Sequence, residues 1–292
     1  MKPKIYDCFT YFNEDQLLKL RFETMWDSVD YFVICESILT FTGKKKNINF
    51  NIDNFSKYKD KIIYLLIEDY QFKSDDPWVY EAFQRNFLLN GLKFASDDDW
   101  IIISDVDEII NPSAIKNFNP KKFLCGSFIQ NVYLYFLNNQ MYSSHDPAKW
   151  DLPKITTYKN LKNIFYTPNQ LRRYKPIGIF RGLRRAYIKL RTQKINDAGW
   201  HFTWMGGVEK IIDKLKNFSH QEFNRPENLI PEEIVKKIYS NNSADILNRE
   251  GVDWTLERVP LDDRMPLYLT KYPDEFSNLL LEYEANRNAI ST

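Results

Sequence analysis

The chain has 292 residues, of which 43% are hydrophobic and 27% charged, the balance of a soluble globular protein. This composition excludes a disordered chain, a collagen-like repeat and a disulfide scaffold. The 40 basic and 39 acidic residues leave a net charge of +1, which argues against bulk electrostatic capture of nucleic acid or an anionic membrane. Aromatic residues make up 16% of the chain, enough to fill a core and still line a ligand cleft.

The N-terminus shows no targeting signal. Residues 1–4 are followed at once by a short strand-like segment without an apolar signal-peptide core, and no stretch reaches 18 apolar residues. We therefore expect a cytoplasmic protein without a transmembrane segment. Three cysteines, Cys8, Cys35 and Cys125, each lie in an apolar run, which indicates buried small side chains and no zinc site.

The first 110 residues alternate between strand-like and helix-like segments. Apolar runs of strand length occur at residues 4–9, 31–36, 61–67 and 100–104. Helical spacing predicts helices at residues 15–26 and 77–94. Repeated strand–helix–strand order predicts βαβ units, and hence an α/β fold with a mostly parallel central sheet flanked by helices.

Beyond Pro112 the pattern weakens. Residues 123–137 alternate as strands do, and residues 138–200 indicate irregular, mainly antiparallel structure. Further helices are predicted at residues 208–217, 231–240 and 274–286. No linker or repeat interrupts the chain, so we predict a single domain over residues 1–292 with an irregular α+β C-terminal half.

Two carboxylates, Asp105 and Asp107, follow the Ile-rich strand at residues 100–104. In an open α/β sheet ligands bind at the carboxyl ends of the strands, and Mg²⁺ and Mn²⁺ prefer oxygen ligands. The two acids could share a cation, or one could hold the metal and the other a ribose hydroxyl. The alternative is a solvated turn with helix-capping acids, because Asp-x-Asp alone is common, but the βαβ context favours a functional site.

Two further positions could reach such a site. His201 lies between two tryptophans, where it could complete a metal site, although a lone histidine is more often structural. Glu81 and Arg85 share one helix face, and their spacing alone favours a surface ion pair worth about 0.3–0.5 kcal/mol over an arginine that enters the cleft.

Residues 172–194 contain nine basic residues and no acid. Interleaved aromatic residues suggest nucleic acid, but the neutral chain argues against it. A cationic wall for a diphosphate fits better, because arginine pairs with phosphate oxygens, and a solvated strand face remains open. No phosphate-binding loop, dinucleotide-binding turn or nucleophile elbow is present in the sequence.

Taken in order, these segments resemble glycosyltransferase family 17, the β-1,4-mannosyl-glycoprotein 4-β-N-acetylglucosaminyltransferase-like family. The matching segments are residues 5–9 with 13–14, 17–18 and 21–22; 29–37 with 40 and 42–44; 78–85; 102–109; 171–173; 198–204 with 209 and 214–215; and, more weakly, 266–269. The resemblance spans roughly residues 4–280. It implies a GT-A-like fold and inverting, Mn²⁺- or Mg²⁺-dependent transfer of a sugar, N-acetylglucosamine from UDP-N-acetylglucosamine, to a glycan hydroxyl. Residues 1–112 would bind the nucleotide sugar and residues 113–292 would form the acceptor side.

The resemblance also implies roles for individual residues. Asp107 would bind the metal, Asp105 would contact ribose or metal, and His201 would be a further ligand or a diphosphate contact. Glu36 and Ser37, at the end of the second strand, would lie near the nucleotide.

Other roles concern the donor and the base. Arg85 and Arg172 would contact the donor. An inverting reaction needs a carboxylate base, for which Glu209 is the matched acid, although it could equally be a helix N-terminal acid. Asp151 and Asp197 are spare candidates for the same role.

This chain departs from the family in two ways, because it shows no membrane anchor and its residues 138–170 do not follow the pattern. We therefore leave the acceptor open and expect a microbial or viral origin. Two alternatives remain: a haloacid-dehalogenase-type phosphotransferase, in which Ile109 departs from the expected Thr or Val, and a non-catalytic glycan-binding module.

Overall fold

The computed structural model describes residues 2–143, 145–173, 181–240, 245–247, 249 and 254–281. The strands are β1 (Ile5–Thr10), β2 (Tyr31–Ser37), β3 (Ile62–Ile67), β4 (Trp100–Asp105), β5 (Glu108–Ile110), β6 (Cys125–Phe128), β7 (Gln130–Leu134), β8 (Asn139–Ser143), β9 (Asp146–Pro147), β10 (Lys149–Trp150), β11 (Lys154–Thr157), β12 (Thr192–Ile195), β13 (Gly199–Thr203) and β14 (Trp254–Arg258). The α-helices are α1 (Asp15–Met25), α2 (Pro77–Phe87), α3 (Pro112–Ile115), α4 (Tyr158–Asn160), α5 (Pro168–Arg173), α6 (Arg181–Leu190), α7 (Gly207–Asn217), α8 (Pro231–Ile238) and α9 (Leu267–Lys271).

The first sheet has the strand order β12-β6-β11-β4-β1-β2-β3. Strands β4, β1, β2 and β3 are parallel neighbours, and β11 runs antiparallel between β4 and β6. The central strands are mainly apolar because both faces of the sheet are covered. This architecture confirms the predicted α/β class with a mostly parallel central sheet, as in a GT-A-like fold.

Alternate residues of the first sheet enter two different cores. On β4, Ile102 packs in one core together with Phe22 of α1, whereas Ile101 and Ile103 pack in the other with Leu88, which follows α2. The two faces are therefore covered by different helices. The carboxyl ends of β1 and β4 remain uncovered at one edge, where the site lies.

The second sheet, in the C-terminal half, has the order β14-β8-β7-β13-β5 and is mostly antiparallel, as expected. Helices α7 and α8 cover one face through Ile211 and Ile234. Gly199, at the start of β13, has φ +127°, and a Cβ there would lie 2.2 Å from the carbonyl oxygen of Ile109. Only glycine therefore allows β13 to pass this close to β5.

Three predictions of local structure need correction. Most of the described basic stretch is helical, in α5 and α6, and not a strand face, because arginine, lysine and leucine are strong helix formers. The helix predicted at residues 77–94 ends at Phe87 and continues as the 3₁₀ turn Leu88–Leu92. The predicted closing helix is a kinked 3₁₀ segment, Pro273–Leu279, and residues 282–286 of that prediction lie outside the described residues.

Two other expectations concern single features. All three cysteines are buried, as predicted. Among the described residues, no helix combines the length and the apolar character that crossing a membrane requires.

Candidate active site

The site is built on the turn that joins β4 to β5, residues 105–108. Arg21 of α1 holds the backbone of this turn, since its Nη1 donates to the carbonyl oxygens of Asp105 at 2.9 Å and Glu108 at 3.0 Å. Arg21 is itself fixed by the Asp7 carboxylate at 2.6 and 2.7 Å and donates to Ser104 Oγ at 2.6 Å. All of these side chains except Asp105 are fully buried, so the conformation of the turn is imposed by the core.

Glu108 is the innermost acid of the turn. Its carboxylate receives two bonds from Arg172 of α5, at 2.7 and 2.6 Å, and one from Trp150 Nε1 at 2.5 Å. The backbone N–H of Asp105 donates to the same carboxylate at 2.8 Å. Glu108 is therefore saturated by the protein and acts as the buried anchor for Arg172.

Asp105, the first acid of the Asp-x-Asp pair, is held between two arginines. Its Oδ2 accepts from Arg172 at 2.7 Å and its Oδ1 from Arg85 at 3.1 Å. Burial opposes ionisation, but the guanidinium groups of Arg172 and Arg85 hold the pKa of Asp105 well below its usual range. Its side chain is 33% exposed, so the carboxylate still reaches the surface of the cleft.

Arg85 links the turn to α2. It donates to Glu81 at 2.8 Å and to Asn169 at 3.0 Å, and both Glu81 and Arg85 are buried. The prediction that this ion pair lies on the surface is therefore wrong, because this helix face turns inward over the carboxyl edge of the sheet. Although burial opposes it, Arg85 holds the pKa of Glu81 below its ordinary value.

Asp107, the second acid of the pair, has longer contacts with its charged neighbours than Asp105 has. Its Oδ2 lies 3.4 Å from Lys214 Nζ and 3.9 Å from His201 Nε2. His201 is buried and stacks on Trp150 with ring centroids 4.5 Å apart. Burial lowers the pKa of His201, so its ring is neutral at pH 7. Its Nδ1 has no hydrogen-bond partner among the described residues.

The pair formed by Asp107 and His201 fits a divalent cation. Two ligands of one octahedral ion lie about 3 to 4 Å apart, and carboxylate oxygen with neutral imidazole suits Mn²⁺. The described part of the chain contains no group of three or more His, Cys, Asp or Glu that could hold a metal. Such an ion would therefore take its remaining ligands from water or from a bound substrate.

Two adjoining hollows open at this edge of the sheet. The first, the arginine hollow, is lined by Tyr11, Phe41, Glu81, Arg85 and Asp105, among others. The second, the tryptophan hollow, is lined by Asn13, Trp204, Met205, Lys210 and Asp213, among others. Four residues line both hollows and form their junction: Phe12, Glu14, Asp107 and Lys214.

Glu14 is a half-buried acid of the junction to which the sequence assigned no role. It precedes α1, and its Oε2 accepts from the backbone N–H groups of Phe12 at 3.1 Å and Asn13 at 2.9 Å. Burial raises the pKa of Glu14 against the lowering effect of these bonds. A usable signal exists in the sequence, because Glu14 closely follows the strand-like segment at residues 4–9, and ligands bind at the carboxyl ends of such strands.

A family model described as glycosyltransferase family 17 matches residues 1–250. The chain belongs to this family. Relatives from Rattus norvegicus and Mus musculus, both named β-1,4-mannosyl-glycoprotein 4-β-N-acetylglucosaminyltransferase, are each 25% identical over 299 residues, covering 92% of this chain and 53% of theirs. A relative of the same name from Homo sapiens is 25% identical over 237 residues, covering 73% of this chain and 43% of its own.

The family and the predicted enzyme class, a glycosyltransferase, are confirmed. The chain spans about half the length of the curated relatives that it matches. Membership in the family favours this class over the phosphotransferase and the glycan-binding module. The relatives are mammalian and give no support to the expected microbial or viral origin.

Glu36, placed near the nucleotide by the resemblance to the family, lines neither hollow and is fully buried. It accepts from Lys46 Nζ at 2.5 Å, the N–H groups of Asn49 and Phe50 at 2.8 and 3.0 Å, and Tyr64 Oη at 2.9 Å. These bonds fix the loop that carries Lys46, and Lys46 does line the arginine hollow. Glu36 does not contact the hollow itself and acts on it only by holding Lys46 in place.

Four other candidate residues also lie outside the lining of both hollows: Ser37, Arg172, Glu209 and His201, the last of which lies against Asp107. Ser37 bonds Tyr70 Oη at 2.7 Å, and Arg172 is buried behind Asp105. Glu209 is exposed on α7, so the structure does not bring it to Asp107. The structure brings Arg85 to Asp105 and His201 to Asp107, although the helical spacing of Arg85 alone favoured a surface ion pair.

Proposed function

We propose that this protein transfers N-acetylglucosamine from UDP-N-acetylglucosamine to a glycan hydroxyl with inversion, helped by Mn²⁺ or Mg²⁺. Membership of glycosyltransferase family 17 supports sugar transfer from a nucleotide sugar. The observation that carries the proposal is the junction at Asp107, because two substrates that exchange a group need two binding spaces that meet at the reacting atoms.

The arginine hollow suits the nucleotide diphosphate. Arg85 supplies a guanidinium group, which pairs well with phosphate oxygens, and Lys46 adds a second cation. Tyr11 and Phe41 provide aromatic surface for a base. The exposed part of Asp105 is available to accept a bond from a ribose hydroxyl.

Asp107 and His201 are the residues that would hold the cation. When bound, the ion would offset the negative charge that develops on the leaving diphosphate. Lys214, 3.4 Å from Asp107, has to move aside or toward the phosphates when a cation binds, since two positive charges repel each other at this distance.

The tryptophan hollow suits the acceptor. Trp204 lies in the left-handed region with φ 61°, an unusual conformation for a bulky residue and one that often marks a functional site. Its ring offers a flat apolar face for a sugar. The relatives' name specifies a β-1,4-mannosyl-glycoprotein, so we propose a mannose-containing glycan as the acceptor class. The division at residue 112, and a cytoplasmic location, stay predictions.

The first test is binding of UDP with and without Mn²⁺. At about 100 times Kd, UDP adds about 2.7 kcal/mol of stability, a rise in Tm on the order of 5 °C. We expect this rise only with UDP and Mn²⁺ together. Asp107→Asn is expected to lose it and to lower the rate of UDP release about 100-fold or more.

Asp213→Asn is the matched control, because Asp213 lines the tryptophan hollow but not the arginine hollow. It is expected to keep the UDP response. A wild-type protein that is indifferent to every nucleoside diphosphate would contradict the proposed function, and unaltered Mn²⁺-dependent binding in Asp107→Asn would contradict the metal site.

A further inference from the structure

The junction of the two hollows contains two carboxylates, Glu14 and Asp107. The other acids that line the cleft belong to one hollow each. Glu81 and Asp105 line the arginine hollow only, and Asp213 lines the tryptophan hollow only, as does Asp15. A group that takes a proton from the acceptor has to contact the acceptor where it faces the donor sugar, which restricts the choice to the junction.

We propose that Glu14 is the general base that deprotonates the acceptor hydroxyl. This inference rests on the proposed function and names the one junction acid to which no other role has been given. Asp107 faces His201 and Lys214 and is assigned to the cation. Glu209, the candidate from the sequence, lines neither hollow and is exposed.

The local structure of Glu14 suits a base. Oε2 is held by two backbone N–H groups, from Phe12 and Asn13, and the described residues donate no hydrogen bond to Oε1. One oxygen thus fixes the rotamer while the other is available to a substrate hydroxyl. This preorganisation comes from the segment between β1 and α1, whose rigid neighbours keep the carboxylate at the junction.

The acceptor hydroxyl oxygen forms a bond to the anomeric carbon of the donor sugar while its proton passes to Glu14 Oε1. The bond from the anomeric carbon to the diphosphate oxygen breaks, and its electron pair leaves with UDP. Attack on the face opposite the leaving group inverts the anomeric configuration.

The test is Glu14→Gln in the full chain, assayed for UDP release from UDP-N-acetylglucosamine with methyl β-mannoside as acceptor and with water alone. The amide oxygen of glutamine can still accept from Phe12 and Asn13, so the fold is expected to survive. We expect kcat to fall about 10²- to 10⁴-fold while KM for the donor and the UDP-induced rise in Tm change less than about threefold. Glu14→Ala should regain at least about tenfold in rate with added formate, which a merely structural role would not give.

Glu209→Gln is the matched control, because Glu209 is exposed and lines neither hollow, and it is expected to keep kcat within about threefold. Three outcomes would overturn the assignment to Glu14 while leaving the proposed function intact: an active Glu14→Gln variant, an equal loss in Glu209→Gln, or no rescue of Glu14→Ala by formate. A wild-type protein that binds no UDP and releases none would instead overturn the proposed function, and the base with it.

Discussion

The arginine hollow and the tryptophan hollow differ in how their charges are paired. In the first, Glu81, Asp105, Arg85 and Arg172 form a buried network with contacts between 2.7 and 3.1 Å. In the second, Asp213 accepts only from neutral amides, those of Asn13 at 3.3 Å and Asn217 at 2.8 Å, among the described residues, and at the junction Lys214 lies 3.4 Å from Asp107.

The difference follows from the partners and not from exposure alone, because the side chain of Asp105 is 33% exposed and that of Asp107 only 13%. The buried guanidinium groups of Arg85 and Arg172 require carboxylate partners, so the walls of the arginine hollow are fixed before any ligand binds. Lys214, with 36% of its side chain exposed, tolerates loose pairing and can rearrange around a substrate. We infer that the donor side of the cleft is preformed for a constant nucleotide, whereas the acceptor side is adaptable.

The strongest test of the fixed side is Arg172→Met. The substitution keeps the length of the side chain but leaves Glu108 buried without its bidentate partner, which is expected to cost about 3–5 kcal/mol of unfolding free energy. Urea unfolding followed by circular dichroism measures this loss.

Arg173→Met is the neighbouring control on α5. Arg173 is more exposed, with 26% of its side chain accessible. It pairs with Glu81, which keeps a second ion pair with Arg85. Its loss should cost no more than about 1.5 kcal/mol. Equal losses in the two variants would contradict the view that the Glu108 anchor holds the arginine hollow.

The pH dependence of stability should have opposite signs for Glu81, in the arginine hollow, and for Glu14, at the junction. The pKa of Glu81 is lowered, so its ionised form favours folding above the ordinary value of 4.5, and this contribution is lost as pH falls through the folded pKa. The pKa of Glu14 is raised, so its contribution is present at low pH and is lost as pH rises from 4.5 through the folded pKa.

The unfolding free energies of Glu81→Gln and Glu14→Gln are measured between pH 3 and 7 and subtracted from the wild-type value. The slope of each difference with pH gives the sign for that residue. The difference should grow with pH below 4.5 for Glu81 and shrink with pH above 4.5 for Glu14, by at most about 1.4 kcal/mol per pH unit. Slopes of the same sign would show that Glu14 is paired as tightly as Glu81, and the contrast between the hollows would fail.

The sequence predicts the arginine side better than the tryptophan side for a physical reason. Asp105 and Asp107 are recognisable because they end an Ile-rich strand in a βαβ context, where sheet geometry determines the position of a ligand. Arg172 is recognisable as basic, but its partner Glu108 is 64 residues away, and no local pattern encodes that pairing. Trp204 depends on how the second sheet and α7 pack, which periodicity does not reveal.

The smallest expected effect is a change in KM for one substrate only, which shows which hollow binds the donor and which binds the acceptor. Trp204→Ala removes the aromatic face of the tryptophan hollow, and losing one sugar-stacking contact should raise KM for the acceptor about five- to tenfold, since such contacts are worth about 1 kcal/mol. KM for UDP-N-acetylglucosamine should stay within about twofold. Phe41→Ala, in the arginine hollow, should show the reverse pattern.

Initial rates of UDP release, measured while each substrate is varied in turn, give both constants for both variants. The adaptable wall predicts that Trp204→Phe, which keeps a ring, restores most of the acceptor affinity, because a loosely paired surface can close on a smaller side chain. If instead Trp204→Ala raises KM for the donor and Phe41→Ala raises KM for the acceptor, the assignment of the two hollows must be exchanged. The constant nucleotide would then bind against the loosely paired wall.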